Sequence, residues 1–161
     1  MPAVSTRSLV LTLLATLALP LGPALVGATS GTAQAASYRN APNSYERSIV
    51  YWTNVNRKRH GVRPLTVGSC VDRYAESWAR QLASRNAFYH QSLSPIMRTC
   101  NKRAAAENIG KGNVSARRMV QLWMSSPEHR RNLLNPRYHH IGIGSVYSHG
   151  GALYDVQDFV S

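Results

Sequence analysis

The chain has 161 residues, of which 43% are hydrophobic and 16% charged, and its formal net charge is +12. This length fits a single domain, and the apolar content excludes an intrinsically disordered polyelectrolyte. Its 11 glycines and 8 prolines show no period, which excludes a collagen-like fibre, and 2 cysteines are too few for a disulfide-dense miniprotein.

Residues 1–35 have the pattern of a secretory signal peptide. One charged residue, Arg7, precedes an apolar run, and Ala33-Gln34-Ala35 matches an A-x-A cleavage site. The alternative is a membrane anchor, but Pro20 and Pro23 interrupt the run and its unbroken part is short for a span. We therefore predict a secreted, extracellular protein without a transmembrane segment after cleavage.

Export determines how the two cysteines are interpreted, because disulfides form and persist outside the cell. Cys70 and Cys100 are the available pair. Closing their loop of about 30 residues would stabilise the fold by roughly 3–4 kcal/mol. We predict a structural disulfide; the alternatives are a free or intermolecular thiol and, with weaker support, a nucleophile or metal ligand.

After a short polar lead-in at 36–42, which we expect to be loose, the sequence predicts a first helix. Asn43 begins it, and Glu46 stands three residues later in the position of a capping box. The basic run Arg57–His60 suits the negative end of the helix dipole. Gly61 is a typical helix stop.

A second helix is predicted from Ser69 to about Asn86. Ser69 is the expected cap, with Asp72 in the capping-box position, and apolar residues follow at spacings of three and four. The following segment, through Cys100, reads as a polar loop. A short strand is then predicted at Glu107–Gly110. The polar loop precedes it, and Gly110 and Gly112 mark its end.

Two further helices precede the last part of the chain. Ser115 caps the first of them, and Ser126-Pro127 begins the second with a typical N-cap and first-turn proline. The residues from Ile141 to Val146 and from Leu153 to Phe159 then alternate with period 2 around a glycine-containing turn. Helices first and a hairpin last predict an α+β domain with an antiparallel sheet.

Three residues could carry chemistry: His90 after the second helix, Glu107 in the short strand and His129 in the Ser126-Pro127 helix. They are far apart in sequence, so no local spacing establishes a metal site, and the motifs HExxH, paired CxxC and GxSxG are absent. His139 and His140 adjoin on a strand and must face opposite sides. We expect His140 to be the one that faces the site of His90, Glu107 and His129.

Several motifs in one order resemble a bacterial CAP domain, the SCP-like family of cysteine-rich secretory and pathogenesis-related proteins. The front half carries Asn54-x-x-Arg57, Pro64-Leu65 and Phe88-x-His90. The resemblance continues through the runs Glu107–Gly112, Trp123–Pro136 and Ile141–Gly144, and ends with Gln157-x-Phe159. It covers about 44–160, so we assign residues 43–161 to one CAP domain of the short secreted bacterial type.

The resemblance implies an α-β-α sandwich, with an antiparallel sheet between helical layers, and a cleft with two histidines and two glutamates. His90, Glu107 and His129 match three of these four positions. The second glutamate normally lies three residues after the tryptophan of the third helix, where this chain has Ser126. Glu128 is close in sequence but is not equivalent. A complete set of four is therefore not expected.

The cleft residues His90, Glu107 and His129 leave three chemistries open. They could bind Zn²⁺ or another divalent metal, and a metal-bound water could then act as a nucleophile. They could form a hydrogen-bond network without metal, in which Glu107 pairs with an imidazolium. They are also the candidate catalytic residues of a hydrolase or protease, but no nucleophile is indicated beside them. The network is the favoured interpretation.

The charge is spread over basic doublets and triplets without interleaved aromatic residues, so a nucleic-acid partner is not expected. Outside the cell, a basic surface would meet anionic wall polymers. The favoured function is a monomeric extracellular binding module for a lipid, sterol, glycan or peptide. The alternatives are a metal-dependent hydrolase that uses the same cleft and a basic cell-wall-associated structural protein.

Overall fold

A computed structural model describes residues 39–41 and 43–161. The predicted signal peptide at 1–35 and the rest of the lead-in lie outside the described residues. Within them the chain forms five strands and five helices. In chain order these are β1 (Arg39–Asn40), α1 (Asn43–Arg59), β2 (Thr66–Val67), α2 (Ser69–Arg85), α3 (Ser94–Thr99), β3 (Ala105–Lys111), α4 (Ala116–Ser125), α5 (Pro127–Leu133), β4 (His140–Tyr147) and β5 (Leu153–Val160).

The strands form one sheet in the order β1-β4-β5-β3, with β2 also paired to β4. The β4–β5 hairpin and the β3–β5 pair are antiparallel, which confirms the α+β prediction. The exception is β2, which runs parallel to β4 through the pairs Thr66–His140 and Val67–Ile141. This short strand reaches β4 from the end of α1, a long-range connection that no local pattern indicates.

One face of the sheet packs against α1, α4 and α5. Ile141 and Ile143 of β4 and Phe159 of β5 join Ile49 of α1 and Trp123 of α4 in one buried apolar cluster. The two isoleucines of β4 are two apart in sequence and therefore point to the same face. Burying side chains of this size contributes about 1.5–3 kcal/mol each.

The opposite face packs against α2, and Gly142 and Gly144 allow an unusually close approach. A Cβ on Gly142 would lie 2.6 Å from the Val71 carbonyl, and a Cβ on Gly144 would collide with the Ala75 carbonyl. The α2 backbone therefore lies directly on β4. With helices on both faces, the expected α-β-α sandwich is confirmed.

The disulfide between Cys70 and Cys100 is present and joins the first turn of α2 to the end of α3. The helix α3 itself was missed, because the segment was predicted as a polar loop. Its start, Ser94-Pro95, has the same Ser-Pro pattern that correctly predicted α5 at Ser126-Pro127. The Ser94-Pro95 pair was therefore a signal for the start of α3. Apolar periodicity could not show this helix, because six residues are too few to reveal a repeat.

Glu46 and Asp72 bind strand β4 instead of closing capping boxes. Glu46 Oε1 accepts from the backbone N–H of Ser145 at 3.0 Å, and Asp72 Oδ1 accepts from that of Ile143 at 2.9 Å. Between them, β1 and β2 pair only with the two ends of β4. The two carboxylates thus bind the N–H groups in the middle of β4, which β1 and β2 are too short to reach.

Arg57 lies in the basic last turn of α1, as the sequence predicts, and it is fully buried. Its guanidinium donates to the carbonyls of Arg63, Leu133, Asn135 and Tyr138 at 2.7–3.1 Å. These bonds tie the end of α1 to the chain after α5. The planar fork of five donors suits arginine to this position, where a lysine could not replace it.

The described part of the lead-in is not loose. Arg39 and Asn40 pair with Tyr147 and Val146 of β4, and the Ala41 N–H donates to the Ser145 carbonyl at 2.7 Å. The edge of β4 supplies the backbone partners, which a prediction from local composition could not include.

We expect Gly142→Ala to destabilise the protein by about 3 kcal/mol or more, because its Cβ meets α2 backbone that cannot give way. Urea denaturation followed by circular dichroism measures this. Gly150→Ala is the matched control, since its Cβ would meet only the Ser148 hydroxyl, at 4.0 Å, and its effect should stay within about 0.5 kcal/mol. Equal stability of the two variants would contradict the close packing of α2 on β4.

Candidate functional site

The Glu107 side chain lies at the centre of the site and is only 2% exposed. Its Oε1 accepts hydrogen bonds from His90 Nδ1 at 2.6 Å and from the Gln91 backbone N–H at 3.2 Å. Its Oε2 accepts from the Gln91 side-chain amide at 2.9 Å. A buried carboxylate is stable only with such partners. The loop after α2 is therefore fastened to β3 through this one group.

The bond to Glu107 also determines which nitrogen of His90 carries a proton. An ionised carboxylate only accepts, so Nδ1 is the protonated nitrogen that donates. The other nitrogen, Nε2, is then the lone-pair atom when the ring is neutral. Because the His90 side chain is 58% exposed, this anchored imidazole is accessible to a ligand.

A second buried carboxyl group, Asp158, lies beside Glu107. The two residues are directly paired in the β3–β5 register. Gln91 Nε2 bridges them, since it also donates to Asp158 Oδ2 at 3.0 Å and to Oδ1 at 3.2 Å. Burial raises the pKa of Asp158 well above its usual range, and the nearby charge of Glu107 adds to the shift. Asp158 therefore keeps its proton to a higher pH than an exposed aspartate.

His129 is brought to the site by α5, which is fastened along strand β3. Asn108 Nδ2 donates to the His129 carbonyl at 3.2 Å, and Asn132 Nδ2 donates to the Glu107 carbonyl at 3.1 Å. Burial lowers the pKa of His129, and the charge of His90 lowers it further, against a smaller opposing effect of Glu128. The two imidazoles are thus close enough for their charges to interact.

A buried chain of polar side chains holds these elements in place from the other face of the sheet. Gln157 Nε2 donates to Thr53 Oγ1 at 2.8 Å, Asn108 Nδ2 to Gln157 Oε1 at 3.0 Å, and Asn132 Nδ2 to Asn108 Oδ1 at 3.0 Å. Thr53, Asn108 and Gln157 have no exposed surface. Such a network crosses from α1 through β5 and β3 to α5 and fixes one arrangement.

The structure brings together His90, Glu107 and His129, the three residues singled out in the sequence. They do not form a ligand set: in residues 43–161, no three His, Cys, Asp or Glu side chains are arranged to hold a metal ion. Glu107 bonds to His90 instead. Ser126 is the N-cap residue of α5 and makes no side-chain cap bond. His140 bonds Thr66 Oγ1 at 3.0 Å, so the expectation that it joins the cleft was wrong.

Gln91 and Asp158 were missed as site residues. Asp158 stands among mainly apolar residues in a strand that is buried throughout, and a buried acid needs partners. That was the available signal. Nothing local indicates Gln91, whose side-chain bonds reach across 16 or 67 residues of sequence.

Comparison with known proteins decides the family. The family model described as "CAP: Cysteine-rich secretory protein family" matches residues 50–159. The chain belongs to this family. The uncharacterized protein YkwD of Bacillus subtilis (strain 168) is 35% identical over an alignment of 133 residues that covers 78% of this chain and 51% of YkwD. This chain thus spans about half the length of that curated relative.

Solved structures agree on the CAP fold. An extracellular protein containing an SCP domain from Bacillus anthracis is 26% identical, with a TM-score of 0.65 over 73% of this chain and 40% of that one. An outer surface protein from Borrelia burgdorferi has a TM-score of 0.69 and 17% identity, over 78% of this chain and 98% of that one. The second likeness concerns the fold alone.

We expect His90→Ala to raise the pKa of His129, because the variant removes a positive charge that disfavours the His129 imidazolium. Titration of the histidine rings by NMR measures this shift directly. His149→Ala is the control, since His149 is exposed in the β4–β5 turn. An unchanged His129 titration in His90→Ala would show that the two rings do not share a cleft.

Proposed function

We propose that this chain is an extracellular binding module of the CAP family that holds a ligand at the cleft formed by His90 and His129. The state of the Glu107 carboxylate carries the proposal. Its oxygens accept three hydrogen bonds from His90 and Gln91. A carboxylate held in this way orients an imidazole and is not available to a reacting water.

The anchored imidazole of His90 and the imidazole of His129 are the groups that this cleft offers to a ligand. Burial lowers the pKa of His129, so its ring is neutral at pH 7 and presents one donor and one acceptor. The accessible nitrogen of His90 can accept from a hydroxyl or amide when neutral and can donate when protonated. The pair therefore suits an uncharged polar ligand group.

Binding of a divalent metal such as Zn²⁺ stays a prediction, but Glu107 is no longer among its proposed ligands. His90 Nε2 and the His129 ring would be the nitrogen donors, and Glu107 would orient His90 from behind, as carboxylates do behind metal-bound histidines. Two protein nitrogens are fewer than the three protein ligands of catalytic zinc sites. The donor set therefore supports ligand binding better than hydrolysis.

The hydrolase alternative has the weaker support. A general base must come within hydrogen-bond reach of the proton that it removes. Glu107 is 2% exposed and its oxygens are occupied, which leaves the imidazoles as the accessible bases. A hydrolytic role in which Glu107 itself is the base would require these bonds to break.

The basic surface favours a second role, retention on an anionic wall polymer. In residues 43–161, the one arginine or lysine that forms an ion pair with a carboxylate is Arg80, with Glu76 at 3.3 Å. The doublets Arg117-Arg118 and Arg130-Arg131 are exposed. Such uncompensated charge attracts polyanions, and salt screens the attraction.

Secretion through the segment 1–35 is part of the proposal. It is supported by the similarity to proteins described as extracellular or as outer surface proteins. Among the described residues, no helix is long and apolar enough to cross a membrane.

A pull-down on cell walls of Bacillus subtilis, intact or stripped of anionic polymer, distinguishes these roles. The full chain is expressed, and the purified product is tested at low and high sodium chloride. We expect binding that survives high salt and that the double variant His90→Ala/His129→Ala loses. The control, His139→Ala/His149→Ala, removes two exposed imidazoles elsewhere and should bind like the parent protein.

Other outcomes separate the alternatives. Binding that requires the anionic polymer, disappears in high salt and persists in His90→Ala/His129→Ala would support wall retention by charge. Release of soluble wall fragments that the same variant abolishes would establish a hydrolase. Absence of histidine-dependent binding would contradict the cleft as a wall-binding site.

A further inference from the structure

A cavity of about 270 Å³ lies between helix α2 and the chain that leads into α3. On the α2 side its wall is formed by Tyr74, Ser77, Trp78 and Gln81. These residues are spaced three and four apart and form one continuous helix face. Two aromatic rings thus alternate with a hydroxyl and an amide along the wall.

The opposite wall consists of Gln91, Ser92 and Pro95. Gln91 is the residue whose amide holds Glu107 and Asp158, and His90 precedes it. The cavity therefore lies next to His90, one of the two histidines of the proposed cleft. The disulfide between α2 and the end of α3 fixes the spacing of the two walls without contributing to them.

From this lining we infer that the cavity binds a neutral sugar chain, with Tyr74 and Trp78 as the stacking surfaces. The inference rests on the binding role proposed above and names a ligand class for it. A pyranose ring has an apolar C–H face and hydroxyls around its edge. Aromatic rings flanked by amides and hydroxyls complement both features.

The absence of charge in the cavity argues for a neutral ligand. On a chain with a net charge of +12, none of the lining residues, all in the described part, is acidic or basic. An anionic ligand would find no counter-charge in these walls. A proline-rich peptide is the alternative for an aromatic groove, but the four hydroxyl and amide side chains favour a ligand with many hydroxyls.

The indole of Trp78 adds a second observation. Its Nε1–H is buried and has no hydrogen-bond partner among the described residues. A buried donor without an acceptor costs stability and calls for an explanation. A sugar hydroxyl in the cavity would supply the acceptor after a small movement that uncovers the Nε1 edge of the Trp78 indole.

The aromatic surface continues beyond the cavity towards His90. Tyr89 packs edge-on against Trp78, with ring centroids 5.2 Å apart, and is 47% exposed. Its neighbour Phe88 is 51% exposed. Exposed rings in consecutive positions next to a cavity are typical of a binding surface. A chain of sugar residues could therefore extend from the cavity across Tyr89 to the histidine cleft.

The test is calorimetric titration of the purified product of the full chain with the N-acetylglucosamine tetramer, a soluble neutral sugar chain. We expect saturable binding that Tyr89→Ala and Trp78→Phe each weaken about tenfold. Trp78→Phe keeps an aromatic ring in the partly buried position and removes the indole donor. Melting curves establish that each variant is folded.

Tyr51→Ala is the matched control. Tyr51 is also exposed, at 60%, and packs edge-on against a tryptophan, Trp52, with centroids 5.1 Å apart. It lies on α1, so its loss should leave sugar binding unchanged. Binding that falls equally in Tyr51→Ala and Tyr89→Ala would overturn the proposal.

Two further outcomes would also overturn it: absence of tetramer binding, or binding of a polyproline peptide in its place with the same dependence on Trp78 and Tyr89. These failures are distinguishable from failure of the proposed function, which depends on His90 and His129. Histidine-dependent wall binding without tetramer binding would reject only the sugar site.

Discussion

The arrangement of the site depends on one buried carboxylate. Glu107 is removed from water on strand β3, and such a group is stable only when its oxygens are bound. His90 and Gln91 supply the donors, so the loop after α2 must lie against β3. The position of His90, and with it the proposed cleft, follows from this requirement.

The remaining parts of the site converge on the same strand from its two faces. On the α2 side, Gln91 joins Glu107 to Asp158. On the other side, Asn108 and Asn132 fasten α5 along β3, and this places His129 near His90. The loop after α2, which carries His90, and helix α5, which carries His129, are thus each anchored to the edge strand β3. His90 is held in place although it lies in an irregular segment.

Part of this arrangement could be predicted from the sequence. Helix starts followed from local signals such as Ser115, whose side chain caps α4, and Ser126-Pro127, where the proline stands in the first turn of α5. The grouping of His90, Glu107 and His129 followed from the family resemblance. Their spacing alone gave no such information.

The rest depends on contacts between distant parts of the chain. Glu46 and Asp72 fit the local capping-box pattern, but the backbone N–H groups of Ser145 and Ile143 in β4 are the partners that bind them. Asp158 became a site residue through the β3–β5 register. No local property of the sequence fixes these partners, since they arise from the docking of helices on the sheet and from the register of its strands.

The orientation of His90 follows from one hydrogen bond, in which Glu107 accepts from Nδ1 and leaves Nε2 for a ligand. The most direct test is nitrogen-15 NMR of the His90 imidazole at a pH where the ring is neutral. We expect the tautomer with the proton on Nδ1, and a change of this state in Glu107→Ala. A ring with its proton on Nε2 would contradict this expectation, because Nδ1 could then not donate to the carboxylate.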